Sequence, residues 1–457
     1  MSIVASTDPE LRAAFARDAS GLELVPEGVA RPRSVEEIVE LVRCARAHGT
    51  PVTAAGGQTS TTGASITDRG IVMSLRGLDR ILDIDPAART ARVQPGVGVA
   101  ELRYAAAAQG LLFAPDPTSE EEATIGGAIA CNASGARSLR YGPMRAHVRA
   151  LRVVLASGEV VELRRVHLEK NTAGYAMVQD PVDWFIGSEG TLGIVVEAEL
   201  ALLPLPARVI GFGIPFERES DALAFVIAAR ESTAARARCL EFFDERSLAI
   251  VRGEAAGTAW GGGASSALVY AEEAMPDADE PPLDAWLALA ERHNAVIADT
   301  SVFDGEAALR DARRLRHAVP ARMNERGDRH RGAGGRKLST DWAVPYTRLG
   351  DAVAAARAAA ARAGLEQPVI YGHAGNGHPH ENFIARDAAE VAAVERAVEE
   401  TLHHVLRLGG TVAAEHGIGK LKRRWLGLQM LPMQLRMMEA IKRELDPTGI
   451  LAPGNVL

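Results

Sequence analysis

The residues with the plainest chemistry lie between Tyr371 and Asn382, a stretch that reads YGHAGNGHPHEN and holds three of the chain's twelve histidines. Asn376-Gly377 between extended flanks is a strong signal for a two-residue hairpin turn. A turn there sets His373 directly opposite His380, with Cβ atoms about 4.5–5.5 Å apart on one face. Two imidazoles at that separation can share a metal through bonds of about 2.0–2.1 Å. His378 and Asn382 alternate with His380 along the strand and share its face. Pro379 removes a ladder donor, which predicts an edge or an irregularity near the strand's start.

A carboxylate is the natural third ligand, and Glu415 in GGTVAAEHGIGK is the best candidate. Its neighbour His416 enters the same pocket only if the backbone turns, which Gly417 and Gly419 allow. Two histidines and a carboxylate with an open position form a catalytic metal arrangement rather than a closed structural one. Any one of these histidines alone reads as an ordinary hydrogen-bonded loop residue. The hairpin pair together with Glu-His reads as a site.

The elements that must position these groups are those of a sizeable soluble protein. The 457 residues suggest two or three domains, and 47% hydrophobic with 24% charged residues is ordinary for a globular chain. A net charge of −8 gives no reason to expect nucleic acid as a partner. Cys44, Cys131 and Cys239 are odd in number and far apart, which excludes a disulfide framework, a CxxC metal site and an iron–sulfur motif. The N-terminus has no cationic segment followed by an apolar run, and nothing approaches the ~20 apolar residues of a membrane span. The expectation is a cytoplasmic protein without an integral membrane segment, peripheral to a membrane only through a partner.

Ser34 and Glu37 form a capping box that opens an amphipathic helix to about His48, where Gly49 stops it. Short strands follow from Pro51, Ile71 and Ala91, joined by glycine-rich connections, and Ala150–Leu163 reads as a hairpin. Three Gly/Ser/Thr-rich stretches stand on these flanks: Gly56–Gly63, Pro115–Gly142 and Gly187–Val195. The first is dense in backbone donors and hydroxyls suited to a pyrophosphate, though it is neither a P-loop nor a G-x-G-x-x-G fingerprint. Together they imply one large nucleotide-like cofactor held by main-chain contacts. From about Val209 the composition shifts to Ala-rich helices and short strands. Residues 325–336 are charged and Gly-rich and read as a loop, and residues 421–457 as a helix stopped by Pro447 and Gly449.

The set GGQTSTTG, PDPTSEEEATIGG, NASG, YG and GSEGTLGIV resembles the flavin domain of the vanillyl-alcohol-oxidase-type flavoproteins. GHAGNGHPHEN, GGTVAAEHGIGK and DPTGILAPG are similar to the C-terminal half of their D-2-hydroxyacid dehydrogenase branch. That branch contains D-lactate dehydrogenase, D-2-hydroxyglutarate dehydrogenase and the large glycolate oxidase subunit. The likeness covers nearly the whole chain in order, and GSEGTLGIV and EHGIG are its most specific parts.

The resemblance implies an α+β fold, with a two-part PCMH-type FAD-binding domain over residues 1–205. A substrate or cap domain over 206–410 would carry the hairpin, and a segment over 411–457 would return to the FAD domain. It implies FAD with its pyrophosphate on Gly56, Gly57, Gln58, Thr59 and Ser60. The ring would lie near Pro115, Thr118, Gly126, Gly127, Asn132, Ser134 and Gly135, and Ile194 and Val195 would meet the adenine side. Some relatives attach FAD through a first-loop histidine; Gly57-Gln58 stands there in this chain, so the flavin is expected to be non-covalent. The chain departs from the usual pattern at Ala55, Gln58 and Ala452, where the relatives carry Arg, Gly and Asn. Arg316 and Lys337 fit the relatives' carboxylate-binding Arg and Lys, and an Arg fork suits a carboxylate.

The reading is an FAD- and metal-dependent dehydrogenase of a small D-2-hydroxy acid. A metal on His373, His380 and Glu415 would chelate the substrate hydroxyl and one carboxylate oxygen; zinc is the default, and Mn²⁺ or Fe²⁺ suit the same ligands. His416 would take the hydroxyl proton, the Cα hydrogen would leave as hydride to flavin N5, and Arg316, Lys337 and Asn382 would fix the carboxylate end. Without an iron–sulfur motif, electrons must pass to a separate acceptor or electron-transfer subunit; a homodimer is compatible with the sequence. Two alternatives stand beside this: an alkylglycerone-phosphate-synthase-like FAD transferase, and a non-catalytic flavin subunit of an electron-transfer complex.

Overall fold

The computed structural model describes residues 5–166, 168–254, 265–275 and 280–457. The chain forms two compact units. The first comprises Met1–Gly135, Gly142–Leu205 and Glu415–Leu457; the second comprises Ala136–Tyr141 and Pro206–Ala414. The return to the first unit thus begins at Glu415 rather than 411, and a six-residue insert of the early sequence belongs to the second.

In the first unit, Ser34 caps the helix Val35–His48 by accepting from Glu37 N–H at 3.2 Å. The Glu37 carboxylate accepts instead from Arg33 N–H at 2.7 Å, one residue before the cap, so the expected reciprocal box is displaced by one position. Gly49 ends the helix in the left-handed region at φ 65°. Ile38, Leu41, Val42 and Ala45 recur at helical spacing and pack on a parallel sheet of β1 (Gly28–Ala30), β2 (Val52–Ala55) and β3 (Ile71–Ser74), ordered β1-β3-β2. Complete burial of Ile38 or Val42 contributes about 1.5–3 kcal/mol each. The chain's end closes this layer. Val52 N–H donates to Ile450 O at 2.7 Å and Ala452 N–H to Val52 O at 2.8 Å, so Leu451 runs parallel to β2.

The second layer of this unit is an antiparallel sheet of β4 (Ile81–Asp85), β5 (Thr90–Val93), β7 (Val148–Val154), β8 (Val160–Arg164) and β9 (Ile194–Ala201), ordered β4-β5-β9-β7-β8. A small pair, β6 (Leu111–Leu112) and β10 (Leu203–Pro204), lies apart from it. Helices Val99–Ala107 and Ile125–Cys131 bury Leu102, Ile125 and Ile129 in one core with Phe113, Val153 and Phe185. The single helix expected after Leu421 is two, Arg423–Gln429 and Pro432–Leu445. Pro432 starts the second because it has no N–H to continue the first.

The second unit is built on a seven-stranded antiparallel sheet. Its strands are β11 (Arg208–Phe216), β12 (Ala237–Asp244), β13 (Ala267–Met275), β14 (Ser301–Asp304), β15 (Gly334–Ser339), β16 (Val369–His373) and β17 (His378–Asp387), ordered β14-β11-β13-β12-β16-β17-β15. One face carries Phe212, which stacks on Trp286 of the helix Leu283–Arg292 with ring centroids 4.9 Å apart. The other face carries Tyr270, Phe243 and Tyr371, which pack with Leu248, Ala312, Leu315 and Val319 of helices Glu245–Glu254 and Glu306–Asp328. The stretch 325–336, expected as a loop, is one only over residues 329–333, a turn and a short 3₁₀ segment; the last turn of the second of these helices precedes it and the start of β15 follows. Gly327 serves close packing: a Cβ there would lie 2.5 Å from Lys337 N, so helix and strand meet backbone to backbone.

Candidate active site

The hairpin β16–β17 differs from the expected one in register. His373 lies opposite His378, and His380 opposite Tyr371. The cause is a longer loop. Ala374–Asn376 form a 3₁₀ turn, and Gly377 alone is left-handed, at φ 68°. A two-residue type I′ turn needs positive φ at both central residues, and Asn376 does not adopt it. Tertiary contacts hold the longer loop: Arg230 donates to Gly375 O, and a Cβ on Gly377 would sit 2.0 Å from Val344 O.

The corrected register still gathers the three imidazoles, because opposed and alternate residues share a face. Ring centroids are 5.5 Å apart for His373–His378, 5.2 Å for His373–His380 and 4.7 Å for His378–His380. His373 and His378 are each less than 5% exposed. The sequence reading missed the group that holds the first ring. Glu241 of β12, 2% exposed, lies 2.7 Å from His373 Nδ1 through Oε1. A carboxylate only accepts, so Nδ1 carries the proton and Nε2 is the nitrogen left to bind a metal. Asp341 Oδ1 lies 3.2 Å from His378 Nε2.

Arg316 is 8% exposed, and its Nε stands 3.6 Å from Glu241 Oε2; it is an interior side chain rather than a solvated helix face. Asn382, 1% exposed, turns its amide to the backbone, donating to His380 O at 3.1 Å and Val369 O at 3.4 Å. Lys337 pairs with Ile384, which places it on the histidine face, and Nζ donates to Asn324 Oδ1 at 2.9 Å. Burial lowers the Lys337 ammonium to about 8. Next to Arg316, burial and then that guanidinium lower His317 to about 4. Glu272 accepts from Tyr270 OH at 2.8 Å and from Arg238 Nε at 2.7 Å, with Arg137 Nε at 3.6 Å. Burial opposes its charge, yet the two guanidiniums hold it below the usual carboxylate range.

Within the first unit, the expected flavin loops lie against one another. A Cβ on Gly56 would meet Thr124 Oγ1 at 2.2 Å, one on Gly57 would meet Glu122 O at 2.1 Å, and one on Gly135 would meet Asp116 O at 2.2 Å. Gln58 takes φ 57°, and Asn132 takes φ 50° as the C-cap of helix Ile125–Cys131. Ser60 Oγ accepts from Ala64 N–H at 3.1 Å and Thr62 N–H at 3.2 Å, tightening its own turn. Convergent loops with little side chain between them fit a dinucleotide held by main-chain groups. Gly126 packs on Pro95, and Gly127 donates to Thr124 Oγ1 at 3.3 Å. Pro115 is buried, Thr59 is half-buried and Thr118 is exposed. The side chains of Ile194 and Val195 are core residues, 2% and 8% exposed, so any contact they offer an adenine is through the main chain. Ser134, expected at the flavin ring, donates to Glu415 Oε2 at 2.9 Å, and Glu415 Oε1 lies 3.5 Å from His416 Nε2.

Residues 26–164 match the FAD binding domain family, and residues 205–456 match the family described as FAD linked oxidases, C-terminal domain. The chain is 31% identical over 439 residues to the glycolate oxidase subunit GlcD of Bacillus subtilis, covering 94% of this chain and 89% of that protein. It is 32% identical over 441 residues to the D-2-hydroxyglutarate dehydrogenase of Xanthomonas citri, with coverage of 94% and 89%. The D-lactate dehydrogenase of Anaerostipes hadrus is 30% identical over 453 residues, again with 94% and 89% covered. The fold is shared with p-cresol methylhydroxylase at a TM-score of 0.74 and 17% identity, over 99% of this chain and 93% of that one. An alkyldihydroxyacetonephosphate synthase shares it at a TM-score of 0.74 and 19% identity, over 98% and 83%. No helix among the described residues is long and apolar enough to cross a membrane.

Proposed function

Because the chain belongs to the FAD-linked oxidases of the D-2-hydroxyacid dehydrogenase type, we propose that it oxidises a small D-2-hydroxy acid to the 2-oxo acid with the help of a divalent metal. The observation that carries this reading is the wall of three imidazoles with Glu241 fixing the His373 tautomer. That donor set fits a divalent ion, zinc first, Mn²⁺ or Fe²⁺ as well. His373, His380 and Glu415 are its proposed ligands, and His378, with Asp341 Oδ1 3.2 Å from its Nε2, is not one of them in this reading. When bound, the ion supplies Lewis acidity toward the substrate hydroxyl, and FAD supplies the acceptor of the Cα hydride.

This chain's own groups do the rest. His416 takes the hydroxyl proton, an imidazole being suited to proton transfer near neutral pH. Arg316 and Lys337 orient the substrate carboxylate, and Asn382 braces the hairpin that carries His380. FAD is held without a covalent bond, since Gly57-Gln58 offers no histidine in the first loop. Electrons leave to a separate acceptor. The fold shared with the alkyldihydroxyacetonephosphate synthase is equally shared with an oxidising hydroxylase, so it does not favour a transferase.

The test is anaerobic bleaching of the bound flavin by a panel of D- and L-2-hydroxy acids, with and without chelator. Bleaching by a D acid alone, abolished by chelator, is the expected result. A flavin that no D-2-hydroxy acid bleaches, or one bleached at full rate in a metal-free preparation, would remove the reading or its metal respectively.

A further inference from the structure

Glu189 is a buried carboxylate without a role in the chemistry above. It lies between two glycines in GSEG, is 6% exposed, and takes φ 50°, a conformation that a non-glycine residue holds at a cost of about 1 kcal/mol or more. Its main chain is fixed, with Glu189 N–H donating to Ala130 O at 2.9 Å and Asn455 Nδ2 donating to Glu189 O at 3.2 Å. Its two oxygens reach the main chain of the segment that carries Glu415 and His416. Oε1 accepts from Ile418 N–H at 2.6 Å, and Oε2 accepts from Gly419 N–H at 2.8 Å.

Successive N–H groups aimed at one point form an anion-binding concavity, which here holds the chain's own carboxylate. Gly417 and Gly419 make the fit. Each has positive φ; a Cβ on the first would lie 2.4 Å from Glu189 Oε1, and one on the second 2.3 Å from Thr62 O. The opposite edge is tied to the first loop, with Lys420 N–H donating to Thr62 O at 2.9 Å and Thr62 Oγ1 to His416 O at 3.3 Å. The turn that aims Glu415 and His416 is thus clamped between Thr62 and Glu189.

We propose that Glu189 is the positioning residue of the Glu415–His416 pair: its carboxylate, clamped on the Ile418 and Gly419 amides, sets the turn that presents the ligand and the base. This rests on the functional reading above, in which those two residues carry the chemistry. A displacement of about 1 Å can cost roughly 10²-fold in rate, so the effect of losing the clamp is measurable.

The experiment uses FAD-loaded protein carrying Glu189→Ala or Glu189→Gln, each alone and combined with His416→Ala. Flavin content, metal content, the rate of flavin reduction by the best D-2-hydroxy acid, and hydrogen exchange at the 418 and 419 amides are measured. Glu189→Ala should keep FAD, lose metal occupancy, lose protection at both amides and fall roughly 10²-fold in rate. Glu189→Gln keeps one acceptor oxygen and should recover part of each loss. In the His416→Ala background, Glu189→Ala should slow the reaction by clearly less than it does in the wild type, because residues acting as a unit are not additive. Full additivity, or loss of FAD in step with rate in both Glu189 variants, would make Glu189 a general structural residue and overturn the proposal. A slow His416→Ala beside a wild-type Glu189→Ala overturns the positioning role alone; a wild-type rate in His416→Ala overturns the functional reading itself.

Discussion

The first unit assembles its candidate site from backbone, and the second from side chains. In the first, Gly56, Gly57 and Gly135 let loops touch where a Cβ would collide. In the second, a sheet face presents His373, His378 and His380, with Glu241 of β12 bonded to the first ring and Asp341 beside the second. A backbone site tolerates many side chains but few added carbons. A side-chain site tolerates changes in its loops but depends on strand register and on the charges behind each ring. Substitutions in the glycine loops and in the histidine wall should therefore fail in different ways, one losing flavin and the other losing metal or rate.

The largest effect should come from His380→Ala. It should remove bound metal and cut turnover at least 10³-fold while the protein remains yellow, as metal analysis and visible absorbance would report. Loss of flavin from this variant would erase the distinction between the glycine loops and the histidine wall. Next, His416→Ala should retain FAD and metal and lose roughly 10²–10⁴-fold in the stopped-flow reductive rate. Glu415→Ala should instead lose metal first, with activity partly restored by excess metal; the opposite metal contents would exchange the two roles. Glu241→Gln should be milder, about 10–100-fold in metal affinity, because the amide oxygen still accepts from His373 Nδ1 while the charge behind the ring is gone. A competition titration with a chromogenic chelator measures it, and unchanged affinity would reduce Glu241 to packing.

The smallest effect concerns pH. Burial brings Lys337 down to about 8, so its positive charge is present below that pH and lost above it. If Lys337 meets the substrate carboxylate, KM should rise several-fold between pH 7 and 9 with little change in kcat. Lys337→Met should show the higher KM at every pH and a flat profile. A rise that persists in that variant belongs to another group.

Much of the first unit could be read from the chain because its signals are local. Ser34 and Gly49 mark a helix by their own chemistry, and the glycine loops announce themselves by composition. The hairpin was legible in existence but not in register, since Asn376-Gly377 favours a tight turn and the longer loop is imposed from outside by Arg230 and Val344. No short-range rule contains those contacts. The Gly-rich stretch after Glu325 looked like a loop because glycine marks both turns and close approach; Gly327 serves the second. Glu241 was overlooked although LEFFD carries a visible flag, a carboxylate flanked by apolar residues within a strand, which is rarely buried without a partner.

The path of the chain has a consequence for biosynthesis. Every piece of the second unit precedes residue 415, whereas the first unit lacks Ile450 and Leu451 beside β2 until the chain has passed them. During synthesis the earlier-started unit must wait, with one edge of its parallel sheet uncovered, while the later-started one completes. Domains usually finish in the order in which they are translated. Here the order is inverted, and the nascent first unit is the species with most need of protection from association.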